Sequence, residues 1–158
     1  AALQALLGGL PDDWVMPNEG PDTFSPYDVV GHLIHGEQTD WVVRAKMIVA
    51  FGSTQTFEKY DRFAQYELSK GKTLQQLLDT FAALRKENMV WFKGLNLTED
   101  DLDKKGMHPV LGEVTLRNLL ATWVVHDLTH ISQITRVMAK QYTTEMGPWP
   151  EFFRILSF

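Results

Sequence analysis

His126 and His130, in the stretch Trp123-Val-Val-His126-Asp-Leu-Thr-His130-Ile-Ser-Gln133, are spaced for metal chemistry. On a helix the two imidazoles lie one turn apart on one face, close enough to hold a single ion between them. Leu116, Leu119, Leu120 and Trp123 precede the pair at helical spacing, and Ile134, Val137 and Met138 follow it, so both histidines point toward a core. Two neutral imidazoles buried together leave nitrogen atoms in want of hydrogen bonds, and a metal satisfies one nitrogen from each at once. The same spacing also occurs in helices that bind nothing, where each histidine bonds a backbone carbonyl or a Tyr hydroxyl. A third ligand decides between the two.

Two further histidines, His32 and His35, fall in another predicted helix. His32 shares a stripe with Val29, Gly36, Val43 and Met47, and the glycine one turn along lets another backbone or a metal-bound ligand come close. His35 is rotated by about 60° from His32 on a helical wheel, toward Gln38 and Val42. His32 is therefore the favoured third ligand, with His35 as its alternative or as a group behind it. Glu37, one turn from Leu33 and Ile34, and Gln133, one turn beyond His130, are candidates for orienting a bound water in catalysis, or else polar residues at the edge of a packed face. Arg85 and Asn88, near the apolar face of a third helix, are candidates for binding a cofactor in a pocket, or else rim residues. Arg44 and Arg136 suit either an anionic substrate or ordinary ion pairs. His108, followed by Pro109, reads as structural or pocket-edge and not as a ligand.

The elements that must position these groups are legible as helices. Ser25-Pro26-Tyr27-Asp28 is a helix start, with Ser as the cap, Pro in the first turn and Asp three residues on to meet the amides. The helix it opens is predicted to run to Phe51-Gly52. Thr73-Leu-Gln-Gln76 begins another through a capping box; Leu74, Leu77, Leu78, Phe81, Leu84, Asn88, Trp91 and Phe92 are its buried face and Gly94 its end. Thr115 caps the helix that carries His126 and His130, predicted to continue to about Tyr142. Leu3, Leu6, Leu7 and Leu10 mark a shortened first helix, and residues 11–24 read as a loop with Trp14 at the core edge. Residues 53–72 show no clean periodicity and carry Phe57, Tyr60, Phe63 and Tyr66, which reads as a long connection pinned down by its aromatics. Leu97 to Leu102 is a short capped turn, and Gly106 to Glu113 a glycine-bounded loop or small hairpin. Gly147-Pro148-Trp149-Pro150 is a rigid turn before a short terminal segment. Three long helices and a shortened first one make an all-α four-helix bundle over residues 1–158, a single domain.

Composition narrows the chemistry. The 158 residues are 44% hydrophobic and 22% charged, with a formal charge of −5, which suits one globular domain and argues against a nucleic-acid surface. With no cysteine there is no disulfide, no thiolate nucleophile and no sulfur-ligated zinc, so a metal must take histidine, carboxylate or water. No apolar run reaches bilayer length and no secretion signal is visible at the N-terminus, so the chain is expected to be soluble and cytoplasmic, with no membrane partner.

Taken together, Ser25-Pro-Tyr-Asp-Val-Val-Gly-His32-Leu, Arg85-Lys-Glu-Asn88, His108-Pro-Val-Leu-Gly112 and His126-Asp-Leu-Thr-His130-Ile-Ser-Gln133 resemble the DinB-like (DinB/YfiT) superfamily of metal-dependent enzymes. The resemblance spans nearly the whole chain. It implies a four-helix bundle with a divalent metal, commonly zinc or nickel, on three histidines that align with His32, His126 and His130. It also implies a homodimer, and a small-molecule substrate processed by hydrolysis or by transfer to a low-molecular-weight thiol cosubstrate. The extra His35 and the short N-terminus depart from the family's pattern. The competing expectation is a non-catalytic, metal-stabilised dimeric bundle that acts as a stress-linked binding module.

Overall fold

The computed structural model describes residues 1–157. Helix α1 (Ala2–Leu7) buries Leu3 and Leu7, and the segment expected as a loop after it carries a single helical turn, α2 (Asp12–Val15). The long helix predicted from Ser25 is two helices, α3 (Pro26–Thr39) and α4 (Trp41–Phe51), broken at Asp40. Neither Pro nor Gly stands at the break. Asp40 takes φ −112° and ψ −83°, while backbone bonds from Asp40 to Gly36 at 3.0 Å and from Arg44 to Asp40 at 2.8 Å carry the ladder across. The bend lets the Trp41 indole turn back over Gly36, where an added Cβ would meet Nε1 at 3.1 Å. The close approach expected at Gly36 is thus made by a side chain of the same segment.

Residues 53–72 are more structured than their pattern suggests. Phe57 N–H donates to the Met107 carbonyl at 2.9 Å beside an isolated bridge between Thr56 and Met107, and α5 (Ala64–Ser69) packs on α3. That packing is tight at Gly31, where a Cβ would collide with Ser69 Oγ. Tyr27 Oη ties the end of α5 by donating toward the Ser69 carbonyl at 2.6 Å and the Lys72 carbonyl at 2.8 Å.

Helix α6 (Leu74–Gly94), the short α7 (Glu99–Leu102), the antiparallel hairpin β1 (Lys105–His108) and β2 (Gly112–Thr115), and helix α8 (Leu116–Lys140) complete the main elements. Two short turns of 3-10 helix, Pro150–Phe152 and Arg154–Leu156, follow, the second resting against α8. Reciprocal capping boxes open α3, α6 and α8, from Ser25 with Asp28, Thr73 with Gln76 and Thr115 with Asn118. Each cap satisfies orphan amides and contributes about 1 kcal/mol. The core falls into two clusters: Leu3, Leu7, Val29, Val30, Leu33, Leu77, Leu78 and Ile134 join α1, α3, α6 and α8, while Trp41, Ala45, Ile48, Phe57, Leu116, Leu119 and Trp123 join α4 to the other end of α8. Both ends of α8 are therefore clamped, and α3 is held along its length. The result is a four-helix bundle whose second helix is bent.

Candidate metal centre

The bend and the clamps bring three imidazoles from two helices to one point. His32 Nε2 of α3 lies 3.0 Å from His126 Nε2 of α8, which lies 3.1 Å from His130 Nε2 one turn along. The three form a group whose ligand atoms all fall within 4.8 Å of one another. Three nitrogens bound tetrahedrally at roughly 2.0–2.1 Å from one ion would stand about 3.3 Å apart, close to this spacing. His35 does not join them. Its ring packs against Tyr60 at 4.9 Å between centroids, and its buried Nδ1 makes no hydrogen bond among the described residues.

Proton placement says why the centre suits a cation. His130 Nδ1–H donates to Gln133 Oε1 at 2.9 Å, which leaves a bare lone pair on Nε2. His126 Nε2 has one hydrogen or one lone pair for two neighbours, so at most one of its two contacts is a hydrogen bond. A divalent ion would satisfy all three nitrogens together. Behind His32, Nδ1 faces Tyr60 Oη at 3.1 Å, and with Nε2 as a ligand Nδ1 carries the proton and donates it. His126 Nδ1 is buried without a partner among the described residues, and the ring is held by the Trp41 indole at 4.9 Å, edge to face. Burial first, then the neighbouring imidazoles, pushes His32 down to about 3; burial and then His130 push His126 down to about 4. His130 is lowered by burial against the opposing pull of Gln133 and Asp127. All three are neutral at pH 7, with lone pairs free for a metal. Burial raises the Tyr60 phenol, which stays protonated and able to hydrogen-bond.

The other residues singled out in the sequence lie elsewhere or act differently. Glu37 does not face the centre. Its side chain is wholly buried, with Oε1 accepting from Arg85 Nε at 2.9 Å and Oε2 from Asn88 Nδ2 at 2.9 Å. A carboxylate so occupied has no lone pair directed at a water beside the histidines, and it does not line their cavity. Arg85 and Asn88 likewise make structural bonds and do not line the histidine cavity. Asn88 also donates to the Glu37 carbonyl at 2.9 Å, and Arg85 grips Asp127 through bonds of 2.6 and 3.0 Å. Asp127 adjoins His126, so this ion pair locks α3, α6 and α8 in register around the site. Gln133 belongs to the site, but behind His130 and not beside a water. His108 Nδ1 accepts from Val110 N–H at 3.2 Å and Leu111 N–H at 3.1 Å, capping the hairpin turn at the cavity edge. Arg136 and Lys140 hold Glu19, whose carboxyl is pulled down to about 2 chiefly by Arg136.

Sequence reasoning missed Tyr60 and Trp41 as groups that aim the ligands. The signal for Tyr60 was its place in an aromatic-rich connection too long to be idle; for Trp41 there was none beyond its helical stripe. Beside the histidines opens a cavity of about 670 Å³, walled by Phe24, Trp41, Tyr60 and Val110 and reaching His32, His126 and His130. Its volume is that of a small-molecule site.

The fold and the site define a helical bundle protein with a three-histidine centre competent for a metal. The chain belongs to the DinB superfamily, whose family pattern matches residues 1–134. Among solved structures it is similar to YfiT from Bacillus subtilis, with a TM-score of 0.75 and 22% sequence identity, covering 89% of this chain and 79% of that one. YfiT is described as a probable metal-dependent hydrolase with an unusual four-helix bundle topology. At that identity the likeness establishes the fold. A comparison with curated proteins gives no match.

Proposed function

We propose that this protein is a divalent-metal-dependent hydrolase of a small molecule, with His32, His126 and His130 as the metal ligands. The observation that carries the reading is the convergence of three neutral Nε2 atoms within 3.0 and 3.1 Å at the end of an open cavity. Zinc and nickel both suit an all-imidazole donor set. A divalent ion held by these three neutral ligands would keep its full charge and would supply Lewis acidity toward water, a carbonyl or phosphoryl oxygen, or a thiol. The chain's own part is to hold the imidazoles in one tautomer, through Tyr60 and Gln133, and to wall the reacting group with Phe24, Trp41 and Tyr60. The description of YfiT as a probable metal-dependent hydrolase supports the choice of reaction class.

Thiol-dependent transfer is the alternative at the same centre. It is supported by the family resemblance and by a sequence without cysteine, which leaves the thiolate to a cosubstrate for which the cavity has room. The experiment is a panel of ester, amide and phosphoester hydrolyses, with and without small thiols, on the zinc- and nickel-loaded protein beside His126→Ala. Hydrolysis by the native chain that His126→Ala abolishes, in a variant that stays folded, is the expected result. Turnover that requires an added thiol would select the alternative, and a variant that loses metal but keeps turnover would end both.

A further inference from the structure

The cavity beside the histidines is cationic in a chain that is acidic overall. Its charged lining is Arg44, Lys59 and Arg62 against one carboxylate, Asp40, whereas the whole chain carries a formal charge of −5. Arg44 and Asp40 neutralise each other at 2.8 Å, with side chains only 10% and 11% exposed. Arg44 is further fixed over the Phe57 ring at 5.4 Å, so it belongs to the wall. Lys59 and Arg62 are left over. Neither makes an ion pair among the described residues. Arg62 instead lies over Phe24 at 5.9 Å and Phe63 at 5.2 Å, which aims the guanidinium without discharging it. Their acidic neighbours in the chain, Glu58 and Asp61, do not line the cavity, and Asp61 Oδ1 is turned to the Phe63 amide at 2.9 Å.

Two cations without an ion-pair partner among the described residues, at the mouth of a cavity with aromatic walls, concentrate anions there and orient them, because low-dielectric walls focus the field. Arg adds a planar fork for a carboxylate or phosphate, and Lys a mobile point charge beside it. We infer that the ligand of this cavity is a small anion with an aromatic or apolar body, whose charged head is held by Lys59 and Arg62 while its reacting bond lies toward the three histidines. The inference rests on the metal-hydrolase reading for the second half of that statement. The first half stands on the cavity's own charges.

Calorimetric titration of the native protein, metal-free and zinc-loaded, with phenyl phosphate, phenylacetate and neutral phenylacetamide tests it, beside the double variant Lys59→Gln/Arg62→Gln. Both side chains are exposed, so the variant is expected to keep the native melting temperature and zinc affinity. At least one of the two anions should bind the native protein at least fivefold tighter than phenylacetamide, and which one does so separates a phosphate from a carboxylate ligand. The double variant should lose at least fivefold of that affinity and none for phenylacetamide. A smaller loss, or no preference for either anion, overturns the inference while a measured zinc affinity leaves the metal reading intact. Absence of zinc binding overturns the metal reading instead, and the metal-free titration still reports on the two cations.

Discussion

An imidazole that points Nε2 inward must keep its proton on Nδ1, so whatever stands behind Nδ1 decides how well the ring is aimed. His32 has Tyr60 there and His130 has Gln133, at 3.1 and 2.9 Å. Tyr60→Phe and Gln133→Leu should each weaken zinc affinity about 10–100-fold with little change in fold, measured by competition with a chromogenic chelator. Unchanged affinity would reduce both to packing. The same imidazoles set a pH dependence. An unfolded histidine takes up its proton at about 6.5, but His32 and His126 in the fold wait until about 3 and about 4. Between those values the unfolded chain binds more protons than the folded one. The stability they contribute is therefore complete above roughly pH 6.5 and lost as the pH falls through the window below it, by at most about 1.4 kcal/mol per pH unit for each ring. Urea unfolding of the metal-free protein from pH 7 to 5 reads this directly; a flat profile would contradict it. Glu37 shows the limit of reading residues singly, because its helical position placed it near the histidines while its burial against Arg85 and Asn88 gave it a structural task.

Helix starts were legible because capping is local: Ser25, Thr73 and Thr115 each find their partner three residues on, as the sequence shows. The glycine-bounded hairpin and the stripe on α8 were legible for the same reason, since turn chemistry and periodicity need only neighbouring residues. The bend at Asp40 was not. The apolar pattern continues through it from Ile34 to Trp41, and what accompanies it, the indole folded back over Gly36 and stacked on Trp123 of α8 at 5.9 Å, is tertiary packing that helical periodicity does not report. The placement of Tyr60 likewise depends on contacts with α3 that lie outside its own segment, and α5 docks on the same helix across Gly31. Gly31→Ala puts a methyl against the buried Ser69 and should destabilise the protein by about 1–3 kcal/mol, seen as a lower urea midpoint. A neutral result would show that α5 is not held in the place described.

At the scale of the whole molecule, one face of α8 is left open. Val124, Val125 and Leu128 are 61%, 60% and 61% exposed on the side of the helix away from the core. The homodimer implied by the family resemblance is proposed to bury this stripe, by the tendency of exposed apolar patches to mark contacts. Light scattering should then give two chains for the native protein and one for Val125→Lys/Leu128→Lys; a native monomer would refute the dimer. No helix among the described residues is long and apolar enough to cross a membrane. The pair on α8 was visible from spacing alone, and its stripe favoured His32 over His35 without deciding between them; only the packed bundle shows the three nitrogens meeting. Whether they hold an ion is the claim on which the rest depends. Elemental analysis of protein purified without an affinity tag should find about one divalent metal per chain in the native protein and in His35→Ala, and almost none in His126→Ala. Metal retained by His126→Ala, or lost on replacing His35, would contradict the account.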